Sequence, residues 1–334
     1  MDKHYWKEID VLYVLGILLV ILGHSHSSDW STFDGTPLVS LIHFIYLFHM
    51  AMFFCIAGFL FQNSDSLTRK GYPHWLKEKA LRLLIPYLLW SLLALFPKYY
   101  FEHHNLNGLT IDYVLTSLFC PRQNIWGHFW FLPVLFLTYA LFGCWKYANG
   151  GRPPHAWQTT LLLLLCVGFY FLPLHATLLG LSDLRMALLF FLLGILGCQV
   201  VSRQEKWIKH CVWFFGSLVI LMVAWFLRET AHASRALGLP VAMLMILAWW
   251  CLASYTKPLP VVTWLSKNNF TIYLFSWMFQ AAMMEVCAHF QCGWLLTSAC
   301  MFLVGWLGPV VLILVFDRLP IKNCRFARLA FGFR

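Results

Sequence analysis

Charge is what this chain has least of. Asp, Glu, Lys and Arg make up only 11% of its 334 residues, against about 25% in soluble domains, while hydrophobic residues make up 60%. That balance excludes an ordinary soluble enzyme or binding module. No polar stretch between the apolar runs is long enough to bury a core of its own, so residues 1–334 read as a single membrane domain. Low-complexity tracts and an internal repeat are also lacking. The eleven cysteines contain no CxxC pair and no Cys/His ligand spacing, which argues against zinc, and no metal is expected. Cys287 and Cys292 fall near one predicted membrane face and read as free thiols. Acidic residues are scarcer than basic ones, 14 against 24, for a net charge of +10. The basic residues are spread among connections rather than gathered on one face, so nucleic acid is not expected as a partner.

What the chain has is apolar runs of the length that crosses a bilayer core at helical rise. Ten occur, at 9–27, 38–61, 81–100, 129–146, 158–176, 184–201, 211–228, 238–255, 270–289 and 294–316. The expected fold is therefore all-α, a polytopic membrane protein of about ten transmembrane helices. Lys3 and Lys7 precede the first run and no small-residue cleavage site follows it, the pattern of a signal anchor. Pro173 and Gly180 interrupt the apolar stretch between the fifth and sixth runs. The longest connection, 101–128, carries an amphipathic piece, Ile111 to Phe119, that suits the interface. With ten spans, only Lys98, Arg122, Arg185, Arg228 and Arg235 of the 24 Lys and Arg fall on one side. The positive-inside bias then places both termini in the cytoplasm.

Polar groups within these runs are the candidates for chemistry, because an ionisable side chain in a span is costly unless it serves a cavity or a partner. The first helix, IDVLYVLGILLVILGHSH, ends in His24 and His26 toward the outer face. At ~100° per residue, His24 lies about 20° in azimuth and roughly 16 Å along the axis from Tyr13, so one stripe carries a polar group near each end. His49 is expected near the midplane of a single second helix, 38–61, in which Gly58 permits close approach of a neighbour. Lys77, Lys79 and Arg82 are placed at the cytoplasmic rim, where a polyanionic ligand or anionic lipid would meet them; the positive-inside bias accounts for them equally. Pro86 is expected to kink the third helix. His128 reads as a solvated interfacial histidine, Asn268 and Asn269 as N-caps of the ninth helix, and Glu285 as a residue near that helix's outer end.

Taken in order, these pieces resemble the acyltransferase-3 family of bacterial integral membrane acyltransferases, and within it the fucose 4-O-acetylase-like branch. Residues 9–24 follow the family's first-helix pattern, I-D-x-L-(K or R)-G-I-x-I-L-L-V-V-L-G-H. FHMAMFFCIAGFLF at 48–61, KALRLLIPY at 79–87, WFL at 130–132 and SKNNFTIYLFS at 266–276 answer four further family motifs. Two positions depart: Tyr13 stands where the family has a basic residue, and Ser276 where it often has histidine.

The resemblance implies an O-acyltransferase of the bacterial cytoplasmic (inner) membrane. Its donor would be cytoplasmic acetyl-CoA and its acceptor a hydroxyl of a cell-surface polysaccharide or its lipid-linked sugar precursor, with membrane lipids around it. On that reading Arg82 and Lys79 meet the CoA phosphates and His24 is the general base on the sugar hydroxyl. An acyl-imidazole relay through His24 or His49 is the other route, and His49 alternatively holds the helix bundle together or positions the thioester. A transporter or flippase for a lipid-linked sugar or small metabolite is the alternative, since intramembrane histidine and broken helices suit it as well.

Overall fold

The computed structural model describes residues 5–26, 35–103, 106–150, 155–204 and 211–333. Lys3, Arg152, Lys206, Lys209 and Arg334, which enter the predicted charge asymmetry, lie outside the described residues. The first seven helices are α1 (Lys7–Gly23), α2 (Pro37–Tyr46), α3 (His49–Gln62), α4 (Ser66–Lys70), α5 (Tyr72–His103), α6 (Ile111–Phe119) and α7 (Phe131–Ala148). There follow α8 (Ala156–Phe171), α9 (Leu181–Gln204), α10 (Cys211–Ala233) and α11 (Arg235–Ser254). The last are α12 (Pro260–Lys267), α13 (Asn269–His289), α14 (Trp294–Phe316) and α15 (Arg325–Ala330). Among the described residues there is no strand. Among the described residues eight stretches, counting α2 with α3 as one, are long and apolar enough to cross a membrane. The remaining two predicted runs lie on α1, of 17 residues, and α8, of 16. The chain is an all-α polytopic membrane protein.

Several boundaries differ from the sequence expectation, each for a local reason. The predicted single helix 38–61 tightens at Leu47 and Phe48, where Phe48 N–H bonds to Ile45 O at 3.2 Å, one residue short of the α-helical ladder. Nδ1 of His49 takes the same carbonyl at 2.9 Å, so a side chain occupies the acceptor of its own backbone N–H. His49 accordingly opens α3 rather than lying within one helix. α5 begins at Tyr72, earlier than expected, with Pro73 tolerated in its first turn, and continues through Pro86 and Pro97. Lys77, Lys79 and Arg82 are thus helical. α8 stops at Phe171 because Leu172 precedes Pro173 and takes extended ψ. α9 starts after a turn that puts Leu179 and Gly180 at positive φ. Asn268 does not cap α13 with its side chain; its amide donates back to Trp264 O at 2.9 Å, closing α12 instead.

The chain divides into two compact units, one of residues 1–56 and 197–322, the other of 57–196 and 323–334. In the first, α1 is central and packs against α2, α11, α12, α13 and α14, while α10 packs on α11 and α2. Its fully buried side chains include Leu12, Ile17, Ile21, Ile42, Ile45 and Met52. In the second, α5 packs against α7, and α15 returns to it through Trp90, whose Nε1 donates to Ala330 O at 2.7 Å. The long connection after α5 is pinned by buried Asn124, which donates to Ser91 Oγ at 2.8 Å and Ser117 O at 2.9 Å. α6 forms as the amphipathic pattern predicts, with Thr110 Oγ1 accepting from Tyr113 N–H.

Helix approach in the second unit depends on Gly58: a Cβ there would stand 1.9 Å from the Phe191 carbonyl oxygen. Gly58→Ala is expected to destabilise the folded protein by about 1–3 kcal/mol. Gly197→Ala on α9, with nothing within 4 Å of the new Cβ, is expected to be neutral or slightly stabilising. Thermal unfolding of both variants in detergent checks this.

Candidate functional site

The last four carbonyls of a helix have no partner within the helix, and inside a bilayer water does not supply one. At the end of α1, side chains and the following turn take all four. Val20 O accepts from Nδ1 of His24 at 2.8 Å. Ile21 O accepts from Ser25 Oγ at 2.7 Å and from Nε2 of Gln280, on α13, at 2.8 Å. Leu22 O takes Ser25 N–H at 3.0 Å, and Gly23 O takes the Tyr46 hydroxyl at 2.9 Å. Gln280 also reaches Ser25 Oγ at 3.0 Å. His24 is therefore the residue that caps α1, fixed between elements that sequence places far apart.

His49 repeats the pattern one helix on, its Nδ1 on Ile45 O. In both histidines the carbonyl assigns the neutral ring's proton to Nδ1, leaving Nε2 as the basic atom. Tyr46 stands between them: its ring stacks on His49 with centroids 5.1 Å apart and lies 6.3 Å from that of His24. The Trp277 ring meets His24 edge-on at 5.5 Å. His49 is buried, His26 too, and His24 is half-buried. The two predicted histidines are thus brought together around Tyr46. Sequence reasoning missed Tyr46, Ser25, Trp277 and Gln280. A glutamine in the middle of an apolar run was the one available signal.

The other end of α1 is tied down as well. Asp10, buried, accepts from Ser266 Oγ at 2.6 Å and from the Tyr5 hydroxyl. That bond to a carboxylate is the main cause raising the Tyr5 phenol above its ordinary pKa. Lys7 Nζ donates to Ser254 O and Thr256 O, both at 2.9 Å. The 9–24 and 266–276 motifs therefore meet directly. Tyr13 packs on Phe53 with ring centroids 6.2 Å apart, and Ser276 is buried with its hydroxyl on Tyr273 O at 3.3 Å.

Lys79 and Arg82 lie in the second unit, one turn apart on α5. The Lys79 ammonium sits over the Tyr139 ring at 4.2 Å and the Trp75 ring at 5.3 Å. Lys146, from α7, sits over Phe61 at 4.9 Å, and Phe61 packs on Trp75 and Tyr139. Cation–π contact holds these ammoniums on one aromatic cluster. His128 is not solvated: it is buried, 4.5 Å from Phe129 and 6.3 Å from Trp126 between centroids. Glu285 is exposed, and Cys287 and Cys292 are free thiols. Among the described residues no group of three His, Cys, Asp or Glu is arranged to hold a metal ion.

If Gln280 closes the end of α1, Gln280→Leu, which keeps the volume and removes both hydrogen bonds, is expected to lower stability by about 1 kcal/mol. Detergent-phase thermal unfolding measures this, and unchanged stability would mean that Ser25 Oγ and the His24 N–H suffice at Ile21 O.

The family model of an acyltransferase domain, that of the acyltransferase-3 family, matches residues 6–316. The chain is 24% identical over 226 residues to Nodulation protein NolL of Mesorhizobium japonicum, covering 66% of this chain and 55% of that protein. To Nodulation protein NolL of Sinorhizobium fredii it is 28% identical over 207 residues, covering 60% of this chain and 51% of that protein. The chain spans about half the length of these relatives. No solved structure matches. A match that runs from the residue before α1 to the end of α14, on a chain of membrane-length helices, establishes that this protein belongs to the acyltransferase-3 family of multi-pass membrane proteins.

Proposed function

We propose that this acyltransferase domain moves acetyl from cytoplasmic acetyl-CoA to a hydroxyl of a cell-surface polysaccharide or its lipid-linked sugar precursor. It does so in a bacterial cytoplasmic membrane with both termini on the cytoplasmic side. The observation that carries the reading is the pair of histidines around Tyr46, each with Nδ1 on a backbone carbonyl and Nε2 left as the basic atom.

On this reading Nε2 of His24 takes the proton of the sugar hydroxyl as its oxygen attacks the thioester carbonyl. The new C–O bond forms, the C–S bond breaks, and the proton passes to the leaving thiolate, so no net proton is consumed. His49, more deeply buried and separated from His24 by Tyr46, is the positioning residue. Lys79 and Arg82 meet the phosphates of the donor, a role that suits an ammonium already held on aromatic rings and a guanidinium one turn away. The charge asymmetry read from the sequence supports the orientation, with Lys79 and Arg82 on the donor's side.

The test is the O-acetyl content of surface polysaccharide, read by NMR in a deletion strain. Deletion is expected to remove one O-acetyl signal, wild type to restore it, and His24→Ala at equal expression to leave it reduced by roughly 10²-fold or more. An acetylation pattern unchanged by deletion would overturn the reading and favour transport of a lipid-linked sugar. In membranes, Lys79→Gln and Arg82→Gln are each expected to raise the KM for acetyl-CoA about tenfold with a smaller effect on kcat, the loss of one charged hydrogen bond.

A further inference from the structure

Four ionisable side chains gather where α2 packs against α10, apart from the His24–Tyr46–His49 group. Nδ1 of His43 is 2.7 Å from Oε2 of Glu229. The imidazoles of His43 and His232 stack with centroids 4.7 Å apart and planes 18° from parallel. Arg228 Nε lies 3.3 Å from the other Glu229 oxygen. Its terminal nitrogens donate to Trp225 O at 2.7 Å and Ser40 Oγ at 3.1 Å, and its guanidinium lies 4.5 Å over the Trp225 ring. Phe44 meets Trp225 edge-on at 5.5 Å.

This cluster differs in kind from the two capping histidines. His24 and His49 direct Nδ1 at a backbone carbonyl, whereas His43 directs it at a carboxylate, which fixes the orientation of the ring. It is also open, with Glu229 54% and His43 29% exposed. A clip between two helices needs one such bond. Here carboxylate and imidazole acceptors stand beside guanidinium and hydroxyl donors, with aromatic rings adjoining. That combination pairs with the vicinal hydroxyls and the apolar face of a sugar. Parallel stacked imidazoles do not converge their nitrogens on one ion, so a metal does not explain it. The cluster lies one turn along α2 from Tyr46, about 5 Å along the helix axis. The sequence-derived orientation puts it on the same side as His24.

We propose that the α2–α10 cluster binds the sugar of the acceptor, Glu229 and His43 accepting hydrogen bonds from its hydroxyls while Arg228 and Ser40 donate to its oxygens. This rests on the glycan-acceptor reading above and adds a subsite to it.

Saturation-transfer difference NMR on the purified protein in detergent tests it, with the methyl glycosides of a hexose, a 6-deoxyhexose and an N-acetylhexosamine as probes and no acyl donor. Glu229→Gln keeps an oxygen for His43 to donate to and removes only the charge, so the helix contact survives the change. Wild type is expected to receive saturation transfer to at least one glycoside. Binding is expected to weaken about tenfold in Glu229→Gln and His43→Gln and to persist in Lys70→Gln, whose partner is Glu78 in the other unit. Binding of none of the probes, or equal binding by Glu229→Gln, overturns the proposal. Because no donor is present, the two readings fail separately. Glycoside binding through Glu229 without acetyl transfer keeps the subsite and sinks the acetyltransferase. Acetyl transfer with glycoside binding indifferent to Glu229 does the reverse.

Discussion

The carbonyl groups at the end of α1 have to be hydrogen-bonded in a place where water is scarce, and much of the first unit follows from how that is done. His24 and Ser25 fold back on their own helix, Tyr46 comes from α2 and Gln280 from α13. Satisfying one helix end therefore fixes the approach of two others. The same bonds orient the imidazole of His24 and set its tautomer, so the constraint that stabilises the end of the helix also leaves a basic nitrogen in a defined position.

Depth in the apolar matrix sorts the polar groups by what they cost to bury. A neutral imidazole whose N–H has a carbonyl partner tolerates burial, and His49 is buried. An ammonium does not, because its desolvation is far more expensive. Lys79 and Lys146 instead set their ammoniums over aromatic rings, whose faces partly replace the lost water. The carboxylates follow the same rule: buried Asp10 receives two hydroxyl hydrogen bonds, whereas exposed Glu229 pairs with His43 and Arg228.

Where the sequence was legible, the determinant was local. The amphipathic run 111–119 and its preceding threonine specify α6 within a dozen residues, and Pro173 ends α8 through its effect on Leu172. Where it misled, side-chain packing or a side-chain bond to the backbone decided. His128 looked solvated because it sits in a connection, yet Phe129 and Trp126 enclose it. Asn268 looked like the cap of α13, but the preceding α12 offered Trp264 O first. The tightening at Leu47–Phe48 depends on which carbonyl the His49 ring takes, and no period in the hydrophobic pattern records that.

By itself the sequence determined the all-α membrane architecture and the family, and it singled out His24, His49, Lys79 and Arg82. Apolar length, the placement of basic residues and motif order are properties of the chain read along its length. Only the tertiary structure decided that Tyr46 stands between the two histidines, that Gln280 and Ser266 tie α13 and α12 to opposite ends of α1, and that His43 meets Glu229. Those pairings join residues separated by up to 259 positions. They arise because buried polar atoms must find partners wherever the packing of helices brings them.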